Sequence, residues 1–474
     1  MKVLETDVAV IGAGTAGLSA YKAATKAGKR ALLVEGGPYG TTCARIGCMP
    51  SKLLIAAAEA AHAARHGAAF GVHLTGKLKI NGHEVMARVK SERDRFVGFV
   101  LDGIENIPAQ DKLRGYAKFV GPTTLEVDAH TQIKASSVVI ATGSSPFIPE
   151  PLRDLGDRVI TNEELFYWND LPKRVAVFGP GVIGLEIGQA LARLGVTVRV
   201  FGMRGSLAGI SDAKVLHSAK KIFQQEFYLD PDARVLETVR VGHEVEIRYV
   251  RLDNRECVER FDYVLAATGR RPNLAALDLK AAGIEVGDNT QIPVFDRQTL
   301  QIGRIPVFMA GDVNNDAALL HEAADEGHIA GMNAAHYPDV VPGHRTVPLA
   351  IVFTDPQIAM IGLGPDRLAK GSFVTGALDF SGQGRSRVML KNKGLLHVYA
   401  DIKTRRLVGA QMIGPSGEHI AHLLAWSVQQ EMTIDQMLQM PFYHPVIEEG
   451  LRTALRHAIS ELNAAAEVSP AVGS

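Results

Sequence analysis

Two glycine-rich motifs constrain the fold of this chain more than any other feature of its sequence. Each has the pattern Gly-x-Gly-x-x-Gly, follows a short apolar run (residues 8–11 and 175–178) and leads into a stretch with a helical pattern. In such strand–turn–helix units, the glycines let the backbone approach a pyrophosphate at the N-terminus of the helix. Two units in one chain predict two dinucleotide-binding domains. The glycines are Gly12, Gly14 and Gly17 in the first motif and Gly179, Gly181 and Gly184 in the second.

The residue at the end of the next predicted strand distinguishes the two motifs. Residues 31–34 lead to Glu35, an acid that can accept hydrogen bonds from ribose hydroxyls. The corresponding run of the second motif, residues 198–201, is followed by Gly202 and then by Arg204, without an acid. Arg204 suits the 2′-phosphate of NADP, and a surface arginine is the alternative interpretation. The sequence therefore predicts a ribose-binding acid in the first site only.

Two of the three cysteines, Cys43 and Cys48, lie five positions apart. In a regular helix this spacing puts the Cα atoms roughly 8–9 Å apart, whereas a disulfide needs about 4.4–6.8 Å. Gly47 and Pro50 permit or force a local distortion, and the N-terminus of a helix favours a thiolate. We therefore predict a redox-active pair at the start of a helix. A zinc site, which usually has about four ligands, and two inert core thiols are the alternatives.

Composition argues against several other classes of function. Lys and Arg together number 51, as do Asp and Glu, so the net charge does not favour a nucleic acid or an acidic membrane as partner. No apolar run reaches the roughly 20 residues of a membrane-spanning helix, and the first residues do not resemble a signal peptide. Three cysteines do not form a disulfide framework. We expect a soluble, cytoplasmic enzyme without a metal site.

The cysteine segment resembles the Cys-x4-Cys-x-Pro-Ser-Lys active site of the class I flavin-dependent pyridine nucleotide-disulfide oxidoreductases. Its Pro-Ser-Lys ending is most similar to the dihydrolipoamide dehydrogenases of that family. Near the other end of the chain, the segment from His444 to Glu449 resembles the family's His-Pro-x-x-x-Glu motif. The resemblance extends over about residues 5–462, which is nearly the whole chain.

The chain departs from the family pattern beside the cysteines. Thr41-Thr42 replaces a Gly-Gly-Thr type run, and Ala44-Arg45 replaces an apolar residue followed by Asn. Both changes can alter what approaches the sulfur atoms, but neither removes a reacting group. The C-terminus has no Cys-Cys pair, which argues against a mercuric reductase and against thioredoxin reductases with a C-terminal redox pair.

The resemblance implies a role for each catalytic residue. Cys48 is expected to lie against the flavin as a charge-transfer thiolate, and Cys43 is expected to exchange with the substrate sulfur. His444 is expected to act as acid and base, oriented by Glu449 and contributed by the partner subunit of a homodimer. Lys52 is expected near the flavin as a further catalytic residue.

The cofactors implied by the resemblance are FAD in the first site and NAD in the second, with NADP as the alternative. A pairing of Lys52 with Glu186 is expected, and it would favour the charged form of both side chains. Besides the glycines of the two motifs, the residues expected to bind FAD are Glu35, Lys52, Thr142, Gly143, Gly311 and Asp312, and those expected to bind the nicotinamide nucleotide are Glu186, Arg204 and Gly269.

The predicted fold class is α/β, with two Rossmann-like dinucleotide-binding domains and a C-terminal α+β dimerisation domain. The resemblance implies that the FAD-binding domain is interrupted by the NAD(P)-binding domain. The expected domains are the first part of the FAD-binding domain (1–150), the NAD(P)-binding domain (151–270), the second part of the FAD-binding domain (271–344) and the dimerisation domain (345–474).

The predicted function is oxidation of dihydrolipoamide, or of a similar small dithiol, with reduction of NAD through FAD and the Cys43–Cys48 disulfide. A lipoyl domain of a 2-oxo-acid dehydrogenase or glycine cleavage complex would then be a partner. The alternative is an NADPH-dependent reductase of a glutathione-like or other low-molecular-weight disulfide. A third hypothesis is a binding role within a multienzyme complex. The intact set of cysteines, His444 and Glu449 argues against a scaffold alone, since a scaffold does not need it.

Overall fold

The computed structural model describes residues 1–287 and 291–468. The strands are β1 (Lys2–Ile11), β2 (Ala31–Glu35), β3 (Lys112–Arg114), β4 (Ala117–Phe119), β5 (Thr124–Val127), β6 (Thr131–Ile140), β7 (Ser144–Pro146), β8 (Val159–Ile160), β9 (Arg174–Phe178), β10 (Thr197–Phe201), β11 (Tyr228–Asp230), β12 (Arg234–Val241), β13 (Glu244–Val250), β14 (Glu256–Phe261), β15 (Tyr263–Ala266), β16 (Arg270–Pro272), β17 (Val307–Met309), β18 (Leu349–Val352), β19 (Gln357–Gly362), β20 (Phe373–Asp379), β21 (Leu395–Asp401) and β22 (Leu407–Gly414).

The α-helices are α1 (Thr15–Lys26), α2 (Thr42–Ile46), α3 (Cys48–His66), α4 (Gly82–Glu105), α5 (Glu150–Arg153), α6 (Asn162–Leu165), α7 (Val182–Arg193), α8 (Ala213–Phe223), α9 (Leu320–His336), α10 (Gly384–Val388), α11 (Gly417–Gln429), α12 (Ile434–Leu438) and α13 (Glu449–Val468). Within the described parts of the chain, no helix combines the length and the apolar character that a membrane crossing requires.

Backbone contacts divide the chain into two compact units, each assembled from three segments. The first unit comprises residues 1–53, 86–147 and 269–345, and the second comprises residues 54–85, 148–268 and the chain from residue 346 on. The division into four domain segments that the resemblance implied stays a prediction.

In the first unit, the first glycine motif joins the central strand of a parallel sheet to α1. β1 pairs in parallel with β2 and β6, and these pair in parallel with β3 and β17, while β4 and β5 continue the sheet as antiparallel strands. Val8 and Val10 pack into one hydrophobic cluster, and Ala9 and Ile11 into another. Because β1 is thus buried on both faces, its sequence is an unbroken apolar run instead of an alternating one.

The second unit contains another parallel sheet, with the strand order β11-β10-β9-β15-β8, and the second glycine motif joins β9 to α7. It also contains an antiparallel sheet with the order β18-β19-β22-β21-β20. Residues of α11 and α13 share one hydrophobic cluster with this antiparallel sheet. The predicted fold class, two Rossmann-like domains and a C-terminal α+β domain, is confirmed.

Close packing between α1 and α9 stabilises the first unit. A Cβ on Gly327 would overlap the carbonyl oxygen of Ala16, and a Cβ on Gly331 would overlap that of Ala20 and lie 2.7 Å from its Cα. The Ser19 hydroxyl also donates a hydrogen bond to the carbonyl oxygen of Ala324 at 2.7 Å. The two helix backbones therefore touch, which is possible only where α9 carries glycine.

We expect Gly331→Ala to destabilise the protein by about 1–3 kcal/mol, because the added methyl group must push the two helix backbones apart. The matched control is Gly98→Ala in α4, where a Cβ would meet no atom within 4 Å. That variant should be more stable by about 0.5–1 kcal/mol, since alanine is the better helix former. Urea unfolding of both variants, followed by circular dichroism, measures the difference. Equal effects at the two sites would contradict this account of the contact.

Candidate active site

The two glycine motifs have the same geometry. Their first glycines, Gly12 and Gly179, have φ angles of +107° and +105°, a region that favours glycine. A Cβ on the third glycine, Gly17 or Gly184, would overlap the carbonyl oxygen of the first. The positive φ of the first glycine and its contact with the third glycine allow the chain to turn sharply from strand to helix.

The middle glycines, Gly14 and Gly181, face open space. Each is the N-cap of its helix without a side-chain hydrogen bond to the first turn, and a Cβ on either would meet nothing within 4 Å. The N-terminal N–H groups of α1 and α7 therefore have no side-chain cap, and the helix dipole favours an anion beside them. Both sites fit a pyrophosphate.

Glu35 lies at the end of β2, as the sequence predicted for a ribose-binding acid. Its Oε2 accepts the N–H of Ala13 at 2.8 Å, and its Oε1 accepts the N–H of Gly37 at 2.6 Å. These two bonds fix the carboxylate beside the first glycine motif. Each oxygen has a second lone pair that can accept a ribose hydroxyl.

Gly202 occupies the equivalent position after β10, and its surroundings leave no room for a side chain. A Cβ there would lie 2.6 Å from the carbonyl oxygen of Pro231 and 2.7 Å from the Cγ atom of Pro180 in the glycine motif. The missing acid is therefore a packing requirement of this site. Arg204, two residues on, is exposed, has a φ angle of +58°, and donates its backbone N–H to Asp232 Oδ1 at 2.8 Å.

The predicted distortion between the cysteines is a break between two helices. Cys43 lies in the short helix α2, Gly47 has φ −123° and ψ −114°, and Cys48 is the first residue of α3. Pro50 falls in the first turn of α3, where a backbone N–H is not needed. The two cysteines are not joined by a disulfide, and their thiols form a hydrogen bond with each other.

The hydrogen bond to Cys48, together with burial, raises the pKa of the Cys43 thiol. Lys52, one helical turn beyond Cys48, acts in the opposite direction and lowers that pKa through its positive charge. Cys48 itself is exposed at the N-terminus of a long helix, where a thiolate is favoured. The two sulfur atoms thus have different electrostatic surroundings.

Thr41 is strained. Its φ of 56° and ψ of 152° lie in a region that residues with a Cβ rarely adopt, at a cost of about 1–3 kcal/mol. Its hydroxyl compensates in part, because Oγ1 accepts the N–H of Ala44 at 3.3 Å and so caps α2. Because a threonine stands here in place of the family's glycine-rich run, the backbone beside the cysteines is strained.

The strain at Thr41 can be separated from the cap with two variants. Thr41→Ala removes the cap and keeps the strain, whereas Thr41→Gly removes both. We expect the glycine variant to be more stable than the alanine variant by about 1–2 kcal/mol, as measured by urea unfolding at equal flavin content. Equal stability of the two variants would show that position 41 is not strained.

His444 and Glu449 meet as the sequence motif predicted. The imidazole Nδ1 lies 3.0 Å from each carboxylate oxygen of Glu449, and this hydrogen bond lowers the pKa of Glu449. The N–H of Val446 also donates to Glu449 Oε2 at 3.3 Å. With Nδ1 engaged, Nε2 is the nitrogen left for proton transfer, and the His444 side chain is 80% exposed.

Asp312 lies in a turn that is held by residues distant in sequence, which the motifs did not predict. Ser144 Oγ donates to Asp312 Oδ2 at 2.9 Å, and Arg270 Nε lies 4.0 Å from the same oxygen. The N–H of Gly311 donates to Glu326 Oε2 at 2.7 Å. Ser144 and Arg270 thus hold one oxygen of the Asp312 carboxylate, and Glu326 holds the main chain of the turn.

Glu326 is completely buried in α9. Its Oε2 also accepts Asn314 Nδ2 at 2.7 Å, and its Oε1 lies 2.8 Å from Arg345 Nη1. Burial raises the pKa of Glu326 despite these partners. One feature of the sequence indicates that Glu326 is buried: it lies on the same face of the helix as Ala323 and Ala330, which are both buried.

The remaining predicted cofactor residues lie in both units. In the first unit, Thr142 Oγ1 donates to the carbonyl oxygen of Asn273 at 2.7 Å, the N–H of Asn273 donates to the carbonyl oxygen of Gly143 at 2.9 Å, and Gly269 has a φ of +109°. In the second unit, Glu186 Oε1 accepts the N–H of Phe353 at 2.9 Å. The predicted Lys52–Glu186 pair joins residues of different units and stays a prediction.

Among the residues that the structure describes, no three His, Cys, Asp or Glu side chains are grouped as metal ligands.

Of the predicted catalytic residues, Cys43, Cys48 and Lys52 lie together in the first unit, and His444 and Glu449 lie together in the second.

Comparison with known proteins agrees with the motifs. Residues 6–327 match the family model described as pyridine nucleotide-disulphide oxidoreductase, and residues 348–455 match the dimerisation domain of the same family. The dihydrolipoyl dehydrogenase of Halobacterium salinarum is 30% identical over 472 residues, which cover 96% of this chain and 96% of that protein. The mercuric reductase of Lysinibacillus sphaericus is 28% identical and covers 94% of this chain, with 82% of that protein matched.

Solved structures share the fold. LpdA from Mycobacterium tuberculosis has a TM-score of 0.81 and 24% identity, covering 95% of this chain and 99% of that chain. The HOCl-induced flavoprotein disulfide reductase RclA from Escherichia coli has a TM-score of 0.79 and 22% identity, covering 96% of this chain and 99% of that chain. The resemblance inferred from the motifs is confirmed at the level of the family.

Proposed function

This chain belongs to the pyridine nucleotide-disulphide oxidoreductases, which depend on FAD and a pyridine nucleotide, and we propose that it oxidises dihydrolipoamide, or a similar small dithiol, with reduction of NAD. The observation that carries this proposal is the hydrogen-bonded pair of Cys43 and Cys48 at the start of α3, with Lys52 one turn beyond. The 30% identity to a dihydrolipoyl dehydrogenase over nearly the whole chain supports the choice of dithiol.

In the proposed reaction, Cys43 exchanges with the substrate. A substrate thiolate attacks the Cys43 sulfur of the oxidised pair, the Cys43–Cys48 bond breaks, and Cys48 leaves as a thiolate. The second substrate thiol loses its proton to His444 and attacks the substrate sulfur of the mixed disulfide. The bond from that sulfur to Cys43 breaks, and Cys43 leaves as a thiolate that takes the proton from His444. This step releases the disulfide product and leaves both electrons on the cysteine pair.

The surroundings of the two sulfur atoms support this assignment. Cys48 lies at the positive end of α3 and is the better site for a thiolate. The raised pKa of Cys43 means that Cys43 takes up a proton when it leaves the mixed disulfide. A base that accepts the proton of the substrate thiol and then gives it to Cys43 is therefore required on the substrate side of the pair.

We assign that base to His444. Glu449 holds Nδ1, so that Nε2 can exchange a proton, and the carboxylate stabilises the imidazolium that forms. We propose that His444 serves the cysteine pair of a partner subunit in a homodimer. Both its 80% exposed side chain and the match of residues 348–455 to a dimerisation domain support this arrangement.

The first nucleotide site fits FAD. The uncapped N-terminus of α1 suits the pyrophosphate, Glu35 suits the adenosine ribose, and Asp312 suits hydroxyl groups of the chain that carries the flavin ring. When bound, FAD carries the electron pair from the cysteines to the nicotinamide. We propose that Thr142 and Gly143 line the same site.

We further propose a lipoyl domain of a 2-oxo-acid dehydrogenase or glycine cleavage complex as the carrier of the dithiol, and a cytoplasmic location. A dihydrolipoyl dehydrogenase relative supports the first of these proposals. The small number of cysteines supports the second, because three cysteines suit a reducing compartment.

The proposal is tested by the initial rates of NAD and NADP reduction by dihydrolipoamide with FAD-loaded enzyme. We expect turnover with NAD and a loss of about 10²- to 10⁴-fold in His444→Ala, because the base is removed. Flavin content, read from the visible spectrum, should be the same in both proteins. Absence of turnover with either nucleotide in the yellow, flavin-loaded protein would contradict the proposed oxidation of the dithiol.

A second candidate is the reverse reaction, an NADPH-dependent reduction of a glutathione-like or other low-molecular-weight disulfide. It is favoured by Gly202, where Pro180 and Pro231 leave no space for the acid that an NAD site uses. Arg204 is exposed two residues further on and is the nearest predicted partner for a 2′-phosphate.

Arg204→Ala tests this second candidate. If Arg204 binds the 2′-phosphate, its loss should raise the KM for NADPH about tenfold, since a charge-assisted hydrogen bond disappears, and leave the KM for NADH unchanged. Arg255→Ala, whose side chain is 76% exposed near Asp253, is the matched control. Equal effects of Arg204→Ala on both nucleotides would make Arg204 an ordinary surface residue.

A further inference from the structure

Four polar side chains are buried together in the second unit, where α8 begins beside β21 and β22. We call them the Asp212 cluster: Asp212, His397, Tyr399 and Gln411, whose exposed fractions are 8%, 4%, 0% and 4%. Nδ1 of His397 lies 2.7 Å from Asp212 Oδ2, and the Tyr399 hydroxyl donates to the same oxygen at 2.9 Å. His397 and Gln411 are direct partners in the β21–β22 register.

Asp212 is held by the backbone as well. Its Oδ1 accepts the N–H groups of Lys214 at 2.9 Å and Val215 at 3.1 Å, so it caps α8. Burial alone would raise the pKa of Asp212, but the hydrogen bonds from His397, Val215 and Tyr399 outweigh it and lower the pKa to about 2. The carboxylate is therefore ionised at neutral pH with both oxygens satisfied.

Burying four polar side chains is unfavourable unless each has partners. A cap for α8 requires only one oxygen of Asp212, as the many exposed N-caps of proteins show. The other oxygen, Oδ2, binds His397 and Tyr399 on β21. Gln411 binds the segment that precedes the helix.

The segment held by this cluster is the loop of residues 202–212, between β10 and α8. Gln411 Oε1 accepts the backbone N–H groups of Ser211 at 3.0 Å and Asp212 at 2.8 Å, and its Nε2 donates to Ser211 Oγ at 2.8 Å. The end of the loop is thus fixed to the antiparallel sheet through both main chain and side chain.

The start of the same loop lies against the second glycine motif. Gly202 packs on the ring of Pro180, and the N–H of Ala208 donates to the carbonyl oxygen of Pro180 at 2.9 Å. Arg204 lies between these two contacts. The loop therefore connects a polar anchor on β21 and β22 with the second glycine motif.

We infer that the Asp212 cluster is a positioning device that holds the 202–212 loop in place for the adenosine end of the nicotinamide nucleotide. This inference rests on the proposed use of the second motif as the nucleotide site. His397, Tyr399 and Gln411 do not touch the nucleotide themselves; they act through Ser211 and Asp212. Loosening the anchor should weaken nucleotide binding without changing the chemistry at the cysteines.

The test is the Kd of NADH and NADPH for the FAD-loaded protein, measured by quenching of protein or flavin fluorescence. Tyr399→Phe removes one buried hydroxyl, and we expect the Kd of the preferred nucleotide to rise about 5- to 20-fold. The KM for dihydrolipoamide, the flavin content, and kcat at saturating nucleotide should stay within twofold of the wild type.

Tyr249→Phe is the matched control. Tyr249 is completely buried in the same unit and donates its hydroxyl to Glu259 Oε1 at 2.8 Å, so the same atom is lost beside a carboxylate. It does not contact the Asp212 cluster through that hydroxyl. We expect nucleotide Kd values within twofold of the wild type in this variant.

A second pair of variants keeps the test valid if Tyr399→Phe folds poorly. His397→Asn retains a donor near the position of Nδ1 and should bind nucleotide nearly as the wild type does, whereas His397→Leu should show the raised Kd. An equal Kd in both His397 variants, or a rise in Tyr249→Phe as large as in Tyr399→Phe, would overturn the inference.

The outcomes separate this inference from the proposed function. A wild-type protein that binds neither nucleotide would overturn both. A wild-type protein that binds nucleotide but does not oxidise dihydrolipoamide would contradict the proposed dithiol, and the nucleotide Kd values of Tyr399→Phe and His397→Leu would still test the anchor. Unchanged nucleotide binding in Tyr399→Phe and His397→Leu would overturn the anchor alone.

Discussion

In both glycine motifs, the third glycine packs against the carbonyl oxygen of the first, at a distance that excludes any side chain. This contact brings the helix directly after the strand and leaves its first N–H groups facing open space. Much of the first unit follows from that placement of α1. α9 packs on it through Gly327 and Gly331, and from α9 Glu326 reaches the turn that carries Asp312. One steric requirement thus organises the anion site and its neighbouring carboxylates.

The arrangement of the cysteine pair depends on a break between two helices. The break at Gly47 separates α2 from α3 and places Cys48 at a helix N-terminus, while Cys43 remains one short helix earlier. The two thiols consequently differ in electrostatic surroundings although they form a hydrogen bond with each other. Because Thr41 keeps a strained backbone conformation, contacts with the surrounding residues must hold this segment in place. A pair of unlike sulfur atoms is what an exchange reaction followed by electron transfer requires.

The motifs predicted the parallel sheets, the glycine turns, Glu35, the break between the cysteines and the His444–Glu449 pair, because each is encoded by residues close together in sequence. They predicted the absence of an acid at Gly202 but not its cause, since Pro180 and Pro231 are distant in sequence and meet only in the folded unit. The Asp212 cluster was missed for the same reason. Its four members look like an ordinary helix cap and three ordinary strand residues until β21, β22 and α8 are assembled.

The sequence by itself determined the family and the two strand–turn–helix motifs, because local spacing and glycine placement dictate how a strand turns into a helix. It also predicted the reacting side chains. The tertiary structure decided which buried charges are satisfied and by whom. In the core, Gly311, Asn314 and Arg345 contact the carboxylate of Glu326, and His397, Tyr399 and the first N–H groups of α8 contact that of Asp212. The cost of burying a charged side chain depends on every neighbour in space. Whether hydrogen bonds and opposite charges offset that cost is therefore decided only when elements that are far apart along the chain have packed together.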